Sequence, residues 1–159
     1  MVALVLPDRR YERSYREARD ELGDPLVVSF SALLARFEDY RHGRVPAGRV
    51  PETTLWLVAG DDYLGRIAIR HELNDALRVD GGHIGYDVRP SRRGQGLGTR
   101  MLRLAMPYAH ALGVDPAMLT CDADNLASWR LIERCGGARE STFVHDGVTC
   151  FRYWLPTTS

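Results

Sequence analysis

Two hydrophobic periods alternate along this chain, and the places where one gives way to the other mark its elements. Residues 2–6 (VALVL) are an apolar run ended by Pro7, which reads as a first strand. Asp8 then offers a helix cap. Tyr11, Tyr15, Ala18 and Leu22 recur at helical spacing until Gly23, Asp24 and Pro25 break the pattern. A second helix starts at Ser29 or Ser31, with Phe30, Leu33, Leu34, Phe37 and Tyr40 turned inward. Residues 41–51 (RHGRVPAGRVP) form a loop by composition. Residues 53–59 and 63–70 are two strands joined through Gly60, Asp61 and Asp62, hence a hairpin. In its second strand Ile67 and Ile69 face one way, and Arg66, Ala68 and Arg70 the other. Residues 71–80 are a polar connection, and Gly81 and Gly82 lead out of it.

The next stretch organises the chain. It begins as a strand with Ile84, Tyr86 and Val88 on one face and His83, Gly85 and Asp87 on the other. Pro90 and Ser91 end that strand, and glycines at 94, 96 and 98 let the backbone curl. From Leu97 a helix is predicted, with Met101, Leu104, Ala105, Tyr108 and Leu112 inward and Gly113 as its stop. Residues 117–121 (AMLTC) read as a short buried strand. Asp124 or Asn125 then caps a helix over 126–135, which Gly136 and Gly137 end. Residues 143–154 are a hairpin turned at Asp146-Gly147, a type I′ signal. The order predicts one α/β domain over 1–159, a mixed sheet covered by helices on both faces. A right-handed parallel crossover should join the strands before and after the long helix.

Composition narrows the partners. The 159 residues carry 21 Lys+Arg and 21 Asp+Glu, a net charge of zero with pI near 7.0, so no global basic field recommends nucleic acid or an anionic membrane. No segment approaches the roughly 20 apolar residues of a membrane span. The run at 2–6 is too short for a signal-peptide core. Cys121, Cys135 and Cys150 are an odd count without CxxC spacing, and the five histidines form no i, i+4 pair. A reduced, cytoplasmic protein without disulfide or metal is expected.

Candidate chemistry lies at the glycine turn. A turn feeding a helix start presents unpaired N–H groups and the positive end of the helix dipole, which suits a phosphate, and Arg92 and Arg93 add charge there. A P-loop needs a lysine and a spacing that are absent. A G-x-G-x-x-G fingerprint fails because Thr99 stands where its third glycine should be. What fits is R-x-x-G-x-G, formed by Arg93, Gly96 and Gly98. Asn125 opens a second pattern, N-L-A-S, that ends at Gly136-Gly137. Together these resemble the GNAT family, the acetyl-CoA-dependent N-acetyltransferases. RHELN at 70–74, GGHIGYDVRP at 81–90 and CDADN at 121–125 are similar to a bacterial subgroup of it with no assigned substrate.

The resemblance implies a largely antiparallel seven-stranded sheet flanked by helices, in which two parallel strands splay apart and pantetheine threads the gap. Backbone groups of Asp87 and Val88 would hold the arm. N–H groups of Arg93, Gly94, Gln95, Gly96, Leu97, Gly98 and Thr99 would cradle the pyrophosphate of acetyl-CoA, with Asn125 and Ser128 completing the cofactor site. The acceptor would be an amine, of a small molecule or a peptide. Relatives place a glutamate base where this chain has His83, whose ordinary pKa near 6.5 suits a base at neutral pH. The tyrosine that protonates the leaving thiolate in many relatives is replaced by Ile132, with Tyr153 as another hydroxyl for that task. The alternative is an acyl-CoA-binding or sensing domain without catalysis. Arg70 and His71 read as substrate contacts or strand-end structure, Cys121 as a buried thiol or a nucleophile. Trp56, Trp129 and Trp154 read as core or interface, and the aromatic strand Phe151, Tyr153, Trp154 as a surface for a homodimer.

Overall fold

The computed structural model describes residues 1–158. In chain order the elements are β1 (Ala3–Val5), α1 (Glu12–Glu21), α2 (Phe30–Arg41), β2 (Glu52–Ala59), β3 (Asp62–Arg70) and α3 (Asp75–Val79). They continue with β4 (Ile84–Val88), α4 (Leu97–Ala111), β5 (Ala117–Asp122), α5 (Leu126–Arg134), β6 (Ala138–His145) and β7 (Val148–Leu155). Ser29, not Ser31, caps α2, its hydroxyl accepting from Ala32 N at 3.1 Å. Asp8 caps a single 3₁₀ turn, Arg9–Tyr11, that leads into α1. The polar connection contains α3, five residues long and capped by Asn74, too short to show a period. β6 begins at Ala138, five residues before the predicted start. Its polar, mostly exposed start at a sheet edge gives no burial pattern to read.

The seven strands form two sheets, β1-β2-β3-β4 and β5-β7-β6, and every ladder in them is antiparallel. Alternation along the first sheet sends its two faces to different helices. Leu55, Leu57, Ile67, Ile69 and Ile84 pack with Met101, Leu102 and Ala105 of α4. Trp56, Val58 and Tyr63 pack on the other face with Tyr11, Tyr15 and Ala18, and with Phe30 and Leu33 of α2. Tyr15 stacks on Trp56 at 4.6 Å. The inward row of α4 is Met101, Leu102, Ala105 and Ala109. Leu104 and Tyr108, predicted inward, are exposed. The buried stripe follows the i, i+4 row Met101, Ala105, Ala109, and the neighbouring row of Leu104 and Tyr108 falls on its solvent side.

β7 lies between β5 and β6, so the strand expected to serve a homodimer has no free edge. Tyr153 is wholly buried in the core and Phe151 sits under the Arg139 guanidinium, so those aromatics pack within the chain.

The predicted parallel pair, β4 and β5, splays so fully that no parallel ladder forms among the described residues. The strands join only at their beginnings. Gly82 bridges Leu119, His83 N donates to Met118 O at 2.7 Å, and Met118 N donates to the His83 ring at Nδ1, 2.9 Å. Gly81 N donates to Thr120 Oγ1 at 2.9 Å, and that hydroxyl donates to Asp80 at 3.0 Å. Arg70 Nη1 holds the carbonyls of Gly81 and Gly82 at 3.1 and 3.0 Å. Thr120→Val keeps the shape but leaves the Gly81 N–H without its acceptor, so stability should fall by about 1–3 kcal/mol. Urea unfolding should show a lower midpoint with an unchanged slope, and an unchanged midpoint would remove this junction as a stabilising feature.

Candidate active site

Beyond the junction the strands part around a cavity of about 870 Å³. Two flanking bonds, Arg70 N to His83 O and Arg89 N to Leu64 O, set the phase of the β3–β4 ladder. Every second residue of an antiparallel strand bonds its partner. Gly85 and Asp87 therefore turn their N–H and C=O toward β3, and Tyr86 and Val88 turn theirs to the gap. The Val88 carbonyl is taken by Arg93 Nε at 3.0 Å. What remains open is the Val88 N–H and both backbone groups of Tyr86. Asp87 was expected to offer its backbone, but it contributes its carboxylate, which accepts from Arg93 Nη2 at 3.0 Å. On β5, Ala123 N bonds Thr149 O, which phases that ladder and leaves Met118, Thr120 and Asp122 facing the gap. The slot between two open edges suits an extended chain added as a strand.

The slot ends at the glycine turn. Gly96 is left-handed at φ 75° and starts α4 without any side-chain cap. The N–H groups of Gly94, Gln95, Gly96, Leu97, Gly98 and Thr99 donate to no protein acceptor among the described residues. Six unpaired donors at a helix N-terminus form an anion site. Gly98 serves packing, since a Cβ there would stand 2.5 Å from Leu131 Cδ1 of α5. Arg70, Arg92, Arg93, Arg130 and Arg134 line the cavity against two carboxylates, Asp87 and Asp122. Arg130 and Arg134 were missed from the sequence, although their i, i+4 spacing after Asn125 puts both on one face of α5. Unpaired donors, cationic lining and the open strand edges together fit a coenzyme A chain with its phosphates at the turn.

Asp87, Val88, Arg93, Gly94, Gly96, Leu97, Gly98, Thr99, Asn125 and Ser128 all line this cavity; Gln95 belongs to the turn but not to the lining. Asn125 Oδ1 caps α5 by accepting from Ser128 N at 3.2 Å, so its amide Nδ2 is the group left for a ligand. Ser128 Oγ lies 2.5 Å from Tyr86 Oη, a pair 42 positions apart that no local pattern announces. Burial pushes the Tyr86 hydroxyl up to about 12 and the neighbouring Cys121 thiol up to about 11. Both stay protonated at neutral pH, which removes Cys121 as a nucleophile.

His83 stands outside the cavity lining, and its geometry does not suit a base. With Nδ1 accepting from Met118 N, the neutral ring carries its proton on Nε2. Neither nitrogen keeps a free lone pair. Burial, and then the Arg70 cation, lower its pKa below the usual 6.5. Ile132 is fully buried in the core. Tyr153 bonds Glu133 and Arg139 away from the cavity. His71 bonds Thr53 and stands apart, while Arg70 lines the cavity.

A family model described as an acetyltransferase (GNAT) domain matches residues 24–138. The chain belongs to the GNAT family. Acetyl-CoA is accordingly its acetyl donor. No curated protein matches the chain in sequence. Solved structures share the fold. The microcin C7 self-immunity acetyltransferase MccE, in complex with acetyl-CoA and AMP, superposes with a TM-score of 0.70 at 16% identity, covering 98% of this chain and 92% of that one. A GNAT acetyltransferase from Streptococcus pneumoniae gives 0.68 at 16%, covering 98% and 99%. Spermidine N-acetyltransferase from Vibrio cholerae, with CoA and spermine, gives 0.67 at 16%, covering 98% and 95%. No helix among the described residues is long and apolar enough to cross a membrane.

The His83 geometry makes a prediction with a definite sign. Because the folded-state pKa is depressed, the unfolded chain takes up a proton that the folded one refuses. The stability contributed by the neutral ring is complete above pH 6.5 and is lost as pH falls from 6.5 through the folded value. His83→Asn places an amide oxygen where Nδ1 accepts. It should keep the neutral-pH stability and flatten the acid limb, whereas His83→Ala should destabilise at all pH values. Denaturant titrations between pH 5 and 8 check this. Equal loss in both variants would contradict the strut.

Proposed function

We propose that the protein transfers the acetyl group of acetyl-CoA directly to a primary amine, both substrates being bound together. One observation carries the reading: the row of unpaired donors from Gly94 to Thr99 runs directly into the open strand edge at Tyr86 and Val88. A phosphate anchor continued by a strand-shaped slot matches a phosphorylated, chain-like donor better than a nucleotide alone. The MccE and spermidine acetyltransferase structures, which hold acetyl-CoA and CoA, share this fold.

Acetyl-CoA supplies an activated thioester. The amine nitrogen bonds to the acetyl carbon, the carbon–sulfur bond breaks with its electron pair going to sulfur, and one amine proton is released. Arg93 braces the end of β4 by holding Val88 O and Asp87, and the open Tyr86 N–H, further along the slot from the phosphate turn, is the donor for the developing oxyanion. The amine enters as its neutral form and gives its proton to water in the open cleft, His83 being occupied. Tyr86 is the hydroxyl donor for the leaving sulfur, and Ser128 positions it. A phenol near 12 is too weak an acid to hand its proton fully to a thiolate that ionises near 8.5, so Tyr86 acts by hydrogen bonding.

Release of free thiol from acetyl-CoA, followed over an amine panel, should depend on the added amine. Tyr86→Phe should lower kcat about tenfold, a typical loss for one charge-assisted hydrogen bond, without changing the Kd for CoA. Tight CoA binding with no thiol release on any amine would instead identify a non-catalytic acyl-CoA binder.

A further inference from the structure

Arg70 is a cation that the phosphate chemistry does not explain. It sits opposite His83 at the junction, whereas Val88 marks the phosphate end of β4. Five residues of strand, roughly 16 Å at the usual rise, separate the two ends. The side chain is 24% exposed and lines the same cavity. Its Nη1 is used on the Gly81 and Gly82 carbonyls, and its Nε faces Glu52 at 3.4 Å. Nη2 finds no acceptor among the described residues. It lies 3.7 Å from where a Cβ on Gly85 would stand, so the glycine leaves the space before it clear.

A guanidinium held rigid on one side, with its other edge open in a half-buried cleft, is preorganised for a planar anion. The acidic neighbours are already engaged, Glu52 by Arg70 itself and Asp80 by Thr120. A second ammonium on the acceptor would meet like charge here, and a carboxylate would meet a donor. We propose that the Nη2 edge of Arg70 receives the carboxylate of the acceptor. The substrate is then a small amine that carries a carboxylate, an amino acid or ω-amino acid, and not a polyamine. This rests on the acetyl-transfer reading and specifies its second substrate.

The test is a matched panel at saturating acetyl-CoA: amino acids and ω-amino acids, each with its carboxamide and its decarboxylated amine, plus spermidine. Free acids should be preferred over their carboxamides by at least tenfold in kcat/KM. Arg70→Gln should erase that preference through KM, and Arg70→Lys, which keeps the charge but not the planar fork, should keep only part of it. The Kd for CoA should be unchanged in both. Thermal melting of each variant separates loss of the strut at Gly81 and Gly82 from loss of recognition, because a purely structural role would not alter the acid-to-carboxamide ratio. Turnover of carboxamides or spermidine at least as fast as of free acids overturns the Arg70 assignment and leaves the acetyltransferase standing. CoA binding without turnover of any panel member overturns both.

Discussion

Everything in the cleft depends on where β4 and β5 are allowed to touch. The reciprocal contact of His83 with Met118, one backbone bond and one ring bond, closes the pair at its beginning. Gly82 packs directly on the Met118 carbonyl, which any Cβ would strike. Past that point each strand is satisfied on one side only, β4 by β3 and β5 by β7. Unpaired backbone groups within a fold are costly. On the proposed reading, a ligand with its own amides completes the ladder on both walls. The junction thus determines the width of the slot, and the slot determines which donor fits.

Charge is arranged to match. The chain is neutral overall, yet its cavity carries more arginine than carboxylate, and the surplus lies where N–H groups already point. Arg93 ties the strand edge at Asp87 and Val88 to the turn that follows it. Arg89 extends the same brace to the other face. Its guanidinium, held by Glu21 and Ser14, joins α1 to the end of β4. Helices on both faces of the sheet therefore bear on the position of Val88.

Much of this was legible in the sequence where a residue acts locally. The glycine turn, a cap at Asn125, one of two candidates, and the Asp146-Gly147 turn depend on neighbours within a few positions, and each stands where the pattern put it. What the sequence hid depends on distant partners. Leu104 and Tyr108 share the helical spacing of the buried row, and only the sheet beneath α4 chooses between the rows. His83 stands where the resemblance implied a base, and its ring is engaged by an amide 35 residues away. The Tyr86–Ser128 pair and the free edge of Arg70 have the same origin, since both need the strands brought together before they exist.

The central claim is that the unpaired backbone of the turn and of the β4 edge is the donor site. Amide hydrogen exchange with and without CoA reads those groups directly. Amides of Gly94 to Thr99, with Tyr86 and Val88, should exchange freely in the apo protein and become protected by CoA. His83 and Met118 should be protected in both states. CoA that binds without slowing exchange at residues 94–99 would contradict it.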